Sequence, residues 1–254
     1  MWKEGSRLSL AMFFAFALML SVMLTVDTRA ASAEKPATPD RAAIEAIVLE
    51  VIKNNPQVVL ESVNQFLQKQ QEERQNVSLE EHAGRLFKGN SPIAGNPEGD
   101  VTVVEFFDYR CGYCKSAAET VNRLIKEDKN LRVVFKEFPI LGPESETAAR
   151  WALAADKQGK YLEFHDALMA HRGAYDDKSL SSIAEKLGLD AGRMRQDAQS
   201  ADVSNAIQMN RALARELGIS STPNFIIEDQ LISGAIPYES MVETIEKKRK
   251  NKKL

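Results

Sequence analysis

Cysteine is nearly absent from this chain, since only Cys111 and Cys114 stand among its 254 residues. Two thiols three positions apart cannot form a framework of structural disulfides. A bridge between them would close so short a loop that it would restrict the unfolded chain little. The pair leaves three uses open, namely metal binding, a local staple and thiol–disulfide exchange.

Histidine is also scarce, with only His82, His165 and His171. None stands near the two cysteines in sequence, whereas a tetrahedral zinc site needs four ligands. We therefore expect no bound metal and no cofactor. The formal net charge of −3 lacks the basic excess typical of nucleic-acid binding, so we expect no nucleic-acid partner.

The N-terminus has the pattern of an export signal. Lys3 and Arg7 precede an uncharged apolar stretch over residues 8–26, and the small residues of TRAASA follow. This order predicts a signal peptide over residues 1–33. The apolar stretch approaches the length of a membrane span, so an uncleaved anchor is the alternative. Both interpretations place the rest of the chain outside the cytoplasm.

Two amphipathic helices are predicted next. Apolar residues recur at helical spacing over residues 44–52, Pro56 interrupts the pattern, and a second run covers 59–67. Such apolar stripes must be buried, either against the main domain or against another subunit. We expect residues 34–75 to form a helical oligomerisation segment and 76–91 a polar linker. Folding back onto the main domain is the alternative, and the stripes are too short to decide between dimer and trimer.

The rest of the chain has the order of a mixed α/β domain. A short apolar run reads as a buried strand, a helical pattern follows, and a second strand completes a right-handed β–α–β unit. The basic run at the C-terminus is expected to be a disordered tail, with attraction to an anionic membrane surface as the alternative. The predicted segments are strands at 101–107 and 131–138, a helix from Arg110, helices over about 144–217, a hairpin of 224–229 and 231–235, a helix from Pro237 and the tail 249–254.

The two cysteines fall where the first of these strands passes into its helix. A thiolate at a helix N-terminus lies at the positive end of the helix dipole, near backbone N–H groups without helical partners. Cys114 comes one turn later and should be less exposed. The arrangement predicts disulfide exchange, with Cys111 attacking and Cys114 resolving.

A second indication of an exchange site is the Thr222-Pro223 pair, which stands directly before a predicted buried strand. A cis bond there, placed against the dithiol, would leave backbone groups of Thr222 for pairing with an extended substrate chain. A trans-proline in an ordinary loop is the alternative. We expect Thr222, Pro223, Gly112 and Tyr113 to contact the substrate.

Together, the segments GDVTVVEFFDYRCGYCK, FKEFPILGPES and STPNFII and the helical insertion resemble the exported DsbA-like disulfide oxidoreductases. The resemblance covers about residues 92–248. It implies an α/β thioredoxin fold with an inserted helical domain, and a cis Thr222-Pro223 bond facing the dithiol. It also implies cysteine-containing exported clients, a membrane redox partner and a periplasmic location. The preceding helices resemble the oligomerisation segments of a subset that includes ScsC proteins and some dimeric DsbA relatives.

The resemblance assigns a role to Glu105. In the family a buried acid near the resolving cysteine assists proton transfer, and Glu105 stands at the matching position. A buried carboxylate needs a partner, and Lys136, which interrupts the second strand, is the expected one. A solvent-facing pair on an edge strand is the alternative. Phe107, Tyr109 and His165 are expected to pack rather than to react.

The direction of electron flow depends on the residues around the cysteines. Strong oxidants of this family carry Pro-His between them, and a nearby His lends positive charge to the thiolate. Gly112 and Tyr113 offer no cation, although Arg110 and Lys115 flank the pair. CGYC resembles the motif of exported disulfide isomerases, and an oligomer would gather several thiolates around one client. We expect an isomerase or reductase; an oxidase, a dual enzyme and a redox-independent chaperone are the alternatives.

Overall fold

A computed structural model describes residues 40–252, apart from the side chains at positions 72, 75 and 76. The predicted signal peptide, residues 1–33, lies outside the described residues. Within residues 40–252, no helix combines the length and the apolar character needed to cross a bilayer.

The chain divides into two units at Ser62, and the described part of the first, residues 40–62, contains helix α1 (Arg41–Asn54) and the start of α2 (Pro56–Glu81). The predicted interruption is confirmed at Asn55, because the proline after it disfavours helical geometry in the preceding residue. Helix α1 has no buried residue. The apolar side chains exposed on the two helices are Ile44, Ile47, Val48, Leu49, Val51, Ile52, Val58, Val59, Leu60, Val63, Phe66, Leu67 and Val77.

The second unit, Val63–Leu254, is built on a five-stranded mixed sheet. Its further elements are α3 (Ala83–Phe87), β1 (Ile93–Gly95), β2 (Val101–Phe107), α4 (Gly112–Glu127), β3 (Leu131–Glu137), α5 (Pro143–Asp156), α6 (Tyr161–Ala170), α7 (Asp177–Lys186), α8 (Ala191–Asp197), α9 (Ala201–Glu216), β4 (Asn224–Ile227), β5 (Gln230–Ser233) and α10 (Tyr238–Asn251). The strand order is β1-β3-β2-β4-β5, with β2 and β3 parallel and the other neighbours antiparallel. The predicted β–α–β unit, helical block and closing hairpin are confirmed.

Both faces of the sheet are covered, which explains the nearly continuous apolar sequence of β2. On one face, Val103 and Phe107 join a core with α4, α5, α6 and α10. On the other face, Val104 and Phe106 pack with the end of α2, with α3 and with α9. Alternate residues of one strand therefore belong to different cores.

Residues 76–91 differ from the expected polar linker. Helix α2 continues through them to Glu81, and α3 follows after one residue. Leu79 and Leu86 are 2% and 0% exposed, within the core on the second face of the sheet. Isolated leucines among polar residues carry no clear periodicity, so the sequence did not reveal this packing.

The expected disordered basic tail is wrong for residues 249–252, because α10 runs to Asn251. Arg249 forms ion pairs with Asp100 and Asp128, with N···O distances of 2.9 and 2.7 Å. Lys252 donates to the carbonyl oxygen of Asp100 over 2.7 Å. These acids stand far earlier in the chain, where a charge pattern along the sequence cannot detect them.

Candidate active site

The two cysteines lie at the junction of β2 and α4. Cys111 is the N-cap residue of α4, with an extended backbone (φ −74°, ψ 117°), and Cys114 lies in the first turn of the helix. The side chain of Cys111 is 7% exposed and that of Cys114 is 0% exposed. Cys111 is therefore the less completely buried of the two cysteines, and it lies beside the unpaired N–H groups of the helix start.

The turn before Cys111 is held by the buried carboxylate of Asp108. Its Oδ1 accepts from the backbone N–H of Arg110 over 2.7 Å and from Ser145 Oγ over 2.8 Å. Its Oδ2 accepts from the N–H groups of Ile140 and Leu141 over 2.8 and 3.0 Å. Because of this turn, helix α4 begins at Gly112, two residues after the predicted start at Arg110. Sequence reasoning missed Asp108, although a short acidic side chain after a buried strand is a known turn signal.

The second part of the site comes from the segment before β4. Cys111 Sγ donates a hydrogen bond to the carbonyl oxygen of Thr222 over 3.3 Å. The Thr222-Pro223 peptide bond is cis, as the resemblance implied. Because β4 pairs antiparallel with β2, with Asn224 opposite Phe106, this segment lies beside the end of β2.

Glu105 lies in the middle of β2 and is only 1% exposed. Its Oε1 has no hydrogen-bond partner among the described residues, and burial raises the pKa of the carboxyl to about 8. Burial also raises the pKa of the Cys114 thiol, and the charge of Glu105 adds to that rise. The structure thus places a carboxyl able to hold a proton near neutral pH within electrostatic reach of Cys114.

Residues 102–246 match the model of the DsbA-like thioredoxin domain. The chain belongs to this family. Its members are thiol–disulfide oxidoreductases, which accounts for a sheet, a helical insertion and a cis-proline arranged around two thiols.

Solved structures extend the comparison. A thioredoxin-like oxidoreductase from Silicibacter pomeroyi is 43% identical, covers 66% of this chain and 97% of its own, and superposes with a TM-score of 0.64. The thiol-disulfide exchange protein alpha-DsbA2 from Wolbachia pipientis is 29% identical, covers 70% of this chain and 97% of its own, and superposes with a TM-score of 0.67. A linker-deletion variant of Proteus mirabilis ScsC is 23% identical, covers 84% of this chain and 98% of its own, and has a TM-score of 0.64. At this identity the match shows similarity of fold alone.

Curated relatives include much longer proteins. The Na(+)/H(+) antiporter NhaA 1 of Salinispora arenicola is 33% identical over 153 residues, which is 59% of this chain and 23% of that protein. The chain thus spans less than a quarter of the length of the first curated relatives it matches.

The two residues between the cysteines of this DsbA-like domain are open to solvent. Beyond its chain neighbours and the backbone of its own helix, a Cβ atom at Gly112 would meet no heavy atom within 4 Å. The Tyr113 side chain is 73% exposed. Both positions lie in the first turn of α4, directly after Cys111.

The two basic residues that flank the cysteines of this DsbA-like site, Arg110 and Lys115, have different interaction partners. Arg110 Nη1 donates to the carbonyl oxygen of Leu141 over 2.7 Å, and Nε lies 3.6 Å from the Glu144 carboxylate. Lys115 Nζ donates to the carbonyl oxygen of His171 and to Tyr175 Oη, the latter over 2.8 Å. Burial lowers the pKa of Lys115, with the charge of Arg172 as a second cause. Arg110 therefore has an acidic partner, whereas Lys115 has none among residues 40–252.

The expected pairing of Glu105 with Lys136 is wrong. Glu105 is opposite Phe135 and Lys136 is opposite Phe106, so the two charged side chains lie on opposite faces of the sheet. Lys136 donates to the carbonyl oxygen of Arg85 over 2.7 Å and to Ser91 Oγ over 2.8 Å. Burial lowers the pKa of Lys136 to about 8. The edge-strand alternative is wrong as well, because β2 and β3 are interior strands and both side chains are buried.

The histidines stand apart from the two thiols. His82 lies 3.3 Å from the Glu216 carboxylate, His171 bonds within its own loop, and His165 is buried among aromatic rings. Within the part of the chain that the structure describes, no group of three or more His, Cys, Asp or Glu side chains is arranged to hold a metal ion. The packing role expected for Phe107, Tyr109 and His165 agrees with their burial.

Proposed function

We propose that this protein is a periplasmic disulfide isomerase or reductase that acts on exported, cysteine-containing proteins. The observation that carries the proposal is the asymmetry of the dithiol. Cys111 lies at a helix N-terminus, 3.3 Å from the carbonyl oxygen of Thr222, and keeps 7% exposure, whereas Cys114 is fully buried. The family and the export pattern of residues 1–33 support the compartment.

The first step is attack by the Cys111 thiolate on one sulfur of a client disulfide. The client S–S bond breaks, a Cys111–client disulfide forms, and the other client sulfur leaves as a thiolate that takes up a proton. Thr222 supports the client backbone in the manner of strand addition, and the exposed ring of Tyr113 contacts its side chains.

The mixed disulfide has two outcomes. In isomerisation, another client thiolate attacks the client sulfur, so a new client disulfide forms and Cys111 is released with no net transfer of electrons. In reduction, Cys114 loses its proton and attacks Cys111, which leaves a Cys111–Cys114 disulfide and a client with two thiols. Glu105 is the proposed acceptor of that proton in its ionised form, which is the minority form below its pKa of about 8. A membrane reductase would return two electrons and two protons to the dithiol.

Two features favour isomerisation over oxidation. The raised pKa of the Cys114 thiol makes its thiolate scarce, which gives a bound client time to rearrange. Gly112 and Tyr113 supply no cation that would stabilise the Cys111 thiolate and make the disulfide more oxidising. The exposed apolar residues of α1 and α2 support assembly into a dimer or trimer, which would raise the concentration of thiolates around one client.

A disulfide-forming oxidase, or a dual enzyme, is the second candidate. It is favoured by Lys115, which lies one turn after Cys111 and has no acidic partner among the described residues. A positive charge there would stabilise the thiolate and raise the reduction potential. A redox-independent chaperone is a third candidate, favoured by the exposed apolar helices.

The decisive experiment compares wild type, Cys111→Ala and Cys114→Ala in insulin reduction and in refolding of scrambled ribonuclease. We expect Cys111→Ala to lose both activities, and Cys114→Ala to lose insulin reduction while keeping part of the refolding activity. Equal rates for wild type and Cys111→Ala would refute the redox function. The direction of electron flow is tested by the redox state of Cys111 and Cys114 in cells. A pair that is almost wholly oxidised there would refute the isomerase function.

A further inference from the structure

A group of buried polar side chains lies behind the turn that carries Cys111. The hydroxyl groups of Tyr109 and Tyr161 both donate to Glu137 Oε1, over 2.9 and 2.7 Å. The imidazole Nδ1 of His165 lies 3.1 Å from the Tyr109 hydroxyl. All four side chains are buried, with exposures from 1% to 5%. We call these four residues the tyrosine–glutamate cluster.

The hydrogen-bond directions within the cluster follow from its donors. The Tyr109 hydroxyl gives its single hydrogen to Glu137, so it accepts from His165, whose proton then resides on Nδ1. Burial lowers the pKa of His165 to about 3, in keeping with a neutral ring. Burial raises the pKa of Glu137 well above its usual value, although the hydrogen bonds from Tyr161 and Tyr109 lower it in part.

Tyr109 is the only member of the cluster within the turn before Cys111. Its carbonyl oxygen accepts from the Tyr175 hydroxyl over 2.9 Å, so the residue is held at both its backbone and its side chain. Glu137 ends β3, the neighbour of β2, and its carbonyl oxygen accepts from Asn210 Nδ2 over 3.1 Å. The turn is thereby anchored to the end of the adjacent strand.

We propose that Tyr109 and Glu137 are a positioning pair that holds this turn and so sets the reactivity of the Cys111 sulfur. The inference rests on the proposed function, in which Cys111 is the attacking residue. Without the Tyr109–Glu137 hydrogen bond, the turn loses the side-chain bond that ties it to β3 and keeps those of Asp108 and Tyr175, so the sulfur is held less closely at the N-terminus of α4. The helix N–H groups that stabilise charge on the sulfur are then less well placed, so attack slows.

The cluster offers a matched pair of variants for the test. Tyr109→Phe and Tyr161→Phe each remove one hydroxyl that donates to the same Glu137 oxygen, but only Tyr109 belongs to the turn. We would measure the pH dependence of iodoacetamide alkylation of Cys111, in a Cys114→Ala background so that one thiol reacts. Urea unfolding of every variant separates a loss of stability from a change in reactivity.

We expect Tyr109→Phe to move the midpoint of the alkylation profile up by about half to one pH unit, which lowers the rate below the midpoint about three- to tenfold. Tyr161→Phe should stay within about twofold of the parent, because its hydroxyl does not contact the turn. Glu137→Gln keeps an oxygen acceptor and should also retain the parent profile, whereas Glu137→Leu should move it as Tyr109→Phe does.

Equal profiles for Tyr109→Phe and Tyr161→Phe would overturn the positioning role. A shift in Glu137→Gln as large as that in Glu137→Leu would also overturn it, because the effect would then come from charge. Failure of the proposed function has a different signature, since wild type would then lack insulin reduction whatever the alkylation profiles show.

Discussion

The Cys111 thiol donates a hydrogen bond to the Thr222 carbonyl oxygen over 3.3 Å, although 111 positions separate the two residues. The contact exists because β4 pairs antiparallel with β2 and brings the segment before β4 to the end of that strand. It places the Cys111 sulfur beside a backbone carbonyl with which an extended client chain can pair. The same geometry leaves Cys114 covered, so the two thiols should behave differently.

Replacing Cys114 with alanine should trap clients on the protein. Cys111 would still attack a client disulfide, but no internal thiol could resolve the mixed disulfide. Incubation with scrambled ribonuclease should therefore give a covalent complex on a non-reducing gel, which dithiothreitol dissolves. The control is Cys111→Ala, in which the remaining thiol is fully buried. Equal amounts of complex from the two variants would contradict the assigned roles.

Glu105→Gln should stabilise the protein at alkaline pH and slow its exchange reaction. The carboxyl has a pKa of about 8 in the folded chain and 4.5 ordinarily, so both states are protonated below pH 4.5. Between pH 4.5 and 8 the unfolded chain ionises while most of the buried group stays protonated, and wild type loses stability. Removing the group should restore about 1–4 kcal/mol at pH 8.

Urea unfolding at pH 4, 6 and 8 measures this difference. The exposed Glu119 on α4 provides the control, because Glu119→Gln leaves the buried site untouched. A constant stability difference between Glu105→Gln and wild type across this range would contradict the prediction. Insulin reduction by Glu105→Gln should be slower than by wild type, since Cys114 loses its proton acceptor.

Tyr113→His should make the dithiol more oxidising. The Tyr113 side chain is 73% exposed, so the substitution leaves the core unchanged and adds a partial positive charge beside Cys111. We expect the reduction potential to rise by about 20–60 mV, as measured by equilibration with glutathione. Tyr113→Phe is the control, because it removes the hydroxyl without adding charge. A rise of equal size in both variants would rule out the electrostatic explanation.

The exposed face of α1 should govern assembly. Ile47 and Val51 lie one turn apart and are 59% and 54% exposed. Replacing both with glutamate should lower the mass measured by light scattering, since charged residues oppose burial of the apolar stripe. Glu50→Gln with Lys53→Gln is the control on the same helix. An unchanged mass in the Ile47→Glu, Val51→Glu variant would argue against this helix as the assembly surface.

Local patterns in the sequence predicted much of the catalytic unit. Helical and strand periodicity, with the glycines and prolines between elements, placed β2, α4, β3 and the hairpin of β4 and β5 within a few residues. The same reasoning missed the packing of Leu79 and Leu86 and extended the disordered tail too far. Those errors share one cause, namely that the contacts join residues distant in the chain.

The sequence by itself determined that two thiols stand at a strand-to-helix junction, because that junction depends on residues within one short segment. Only the tertiary structure decided their partners. The strand register separated Glu105 from Lys136 on opposite faces of the sheet. Antiparallel pairing brought Thr222 to Cys111, and the helical insertion brought Tyr161 to Glu137. Buried polar groups must find hydrogen bonds wherever the fold places donors and acceptors, and no local pattern encodes that choice.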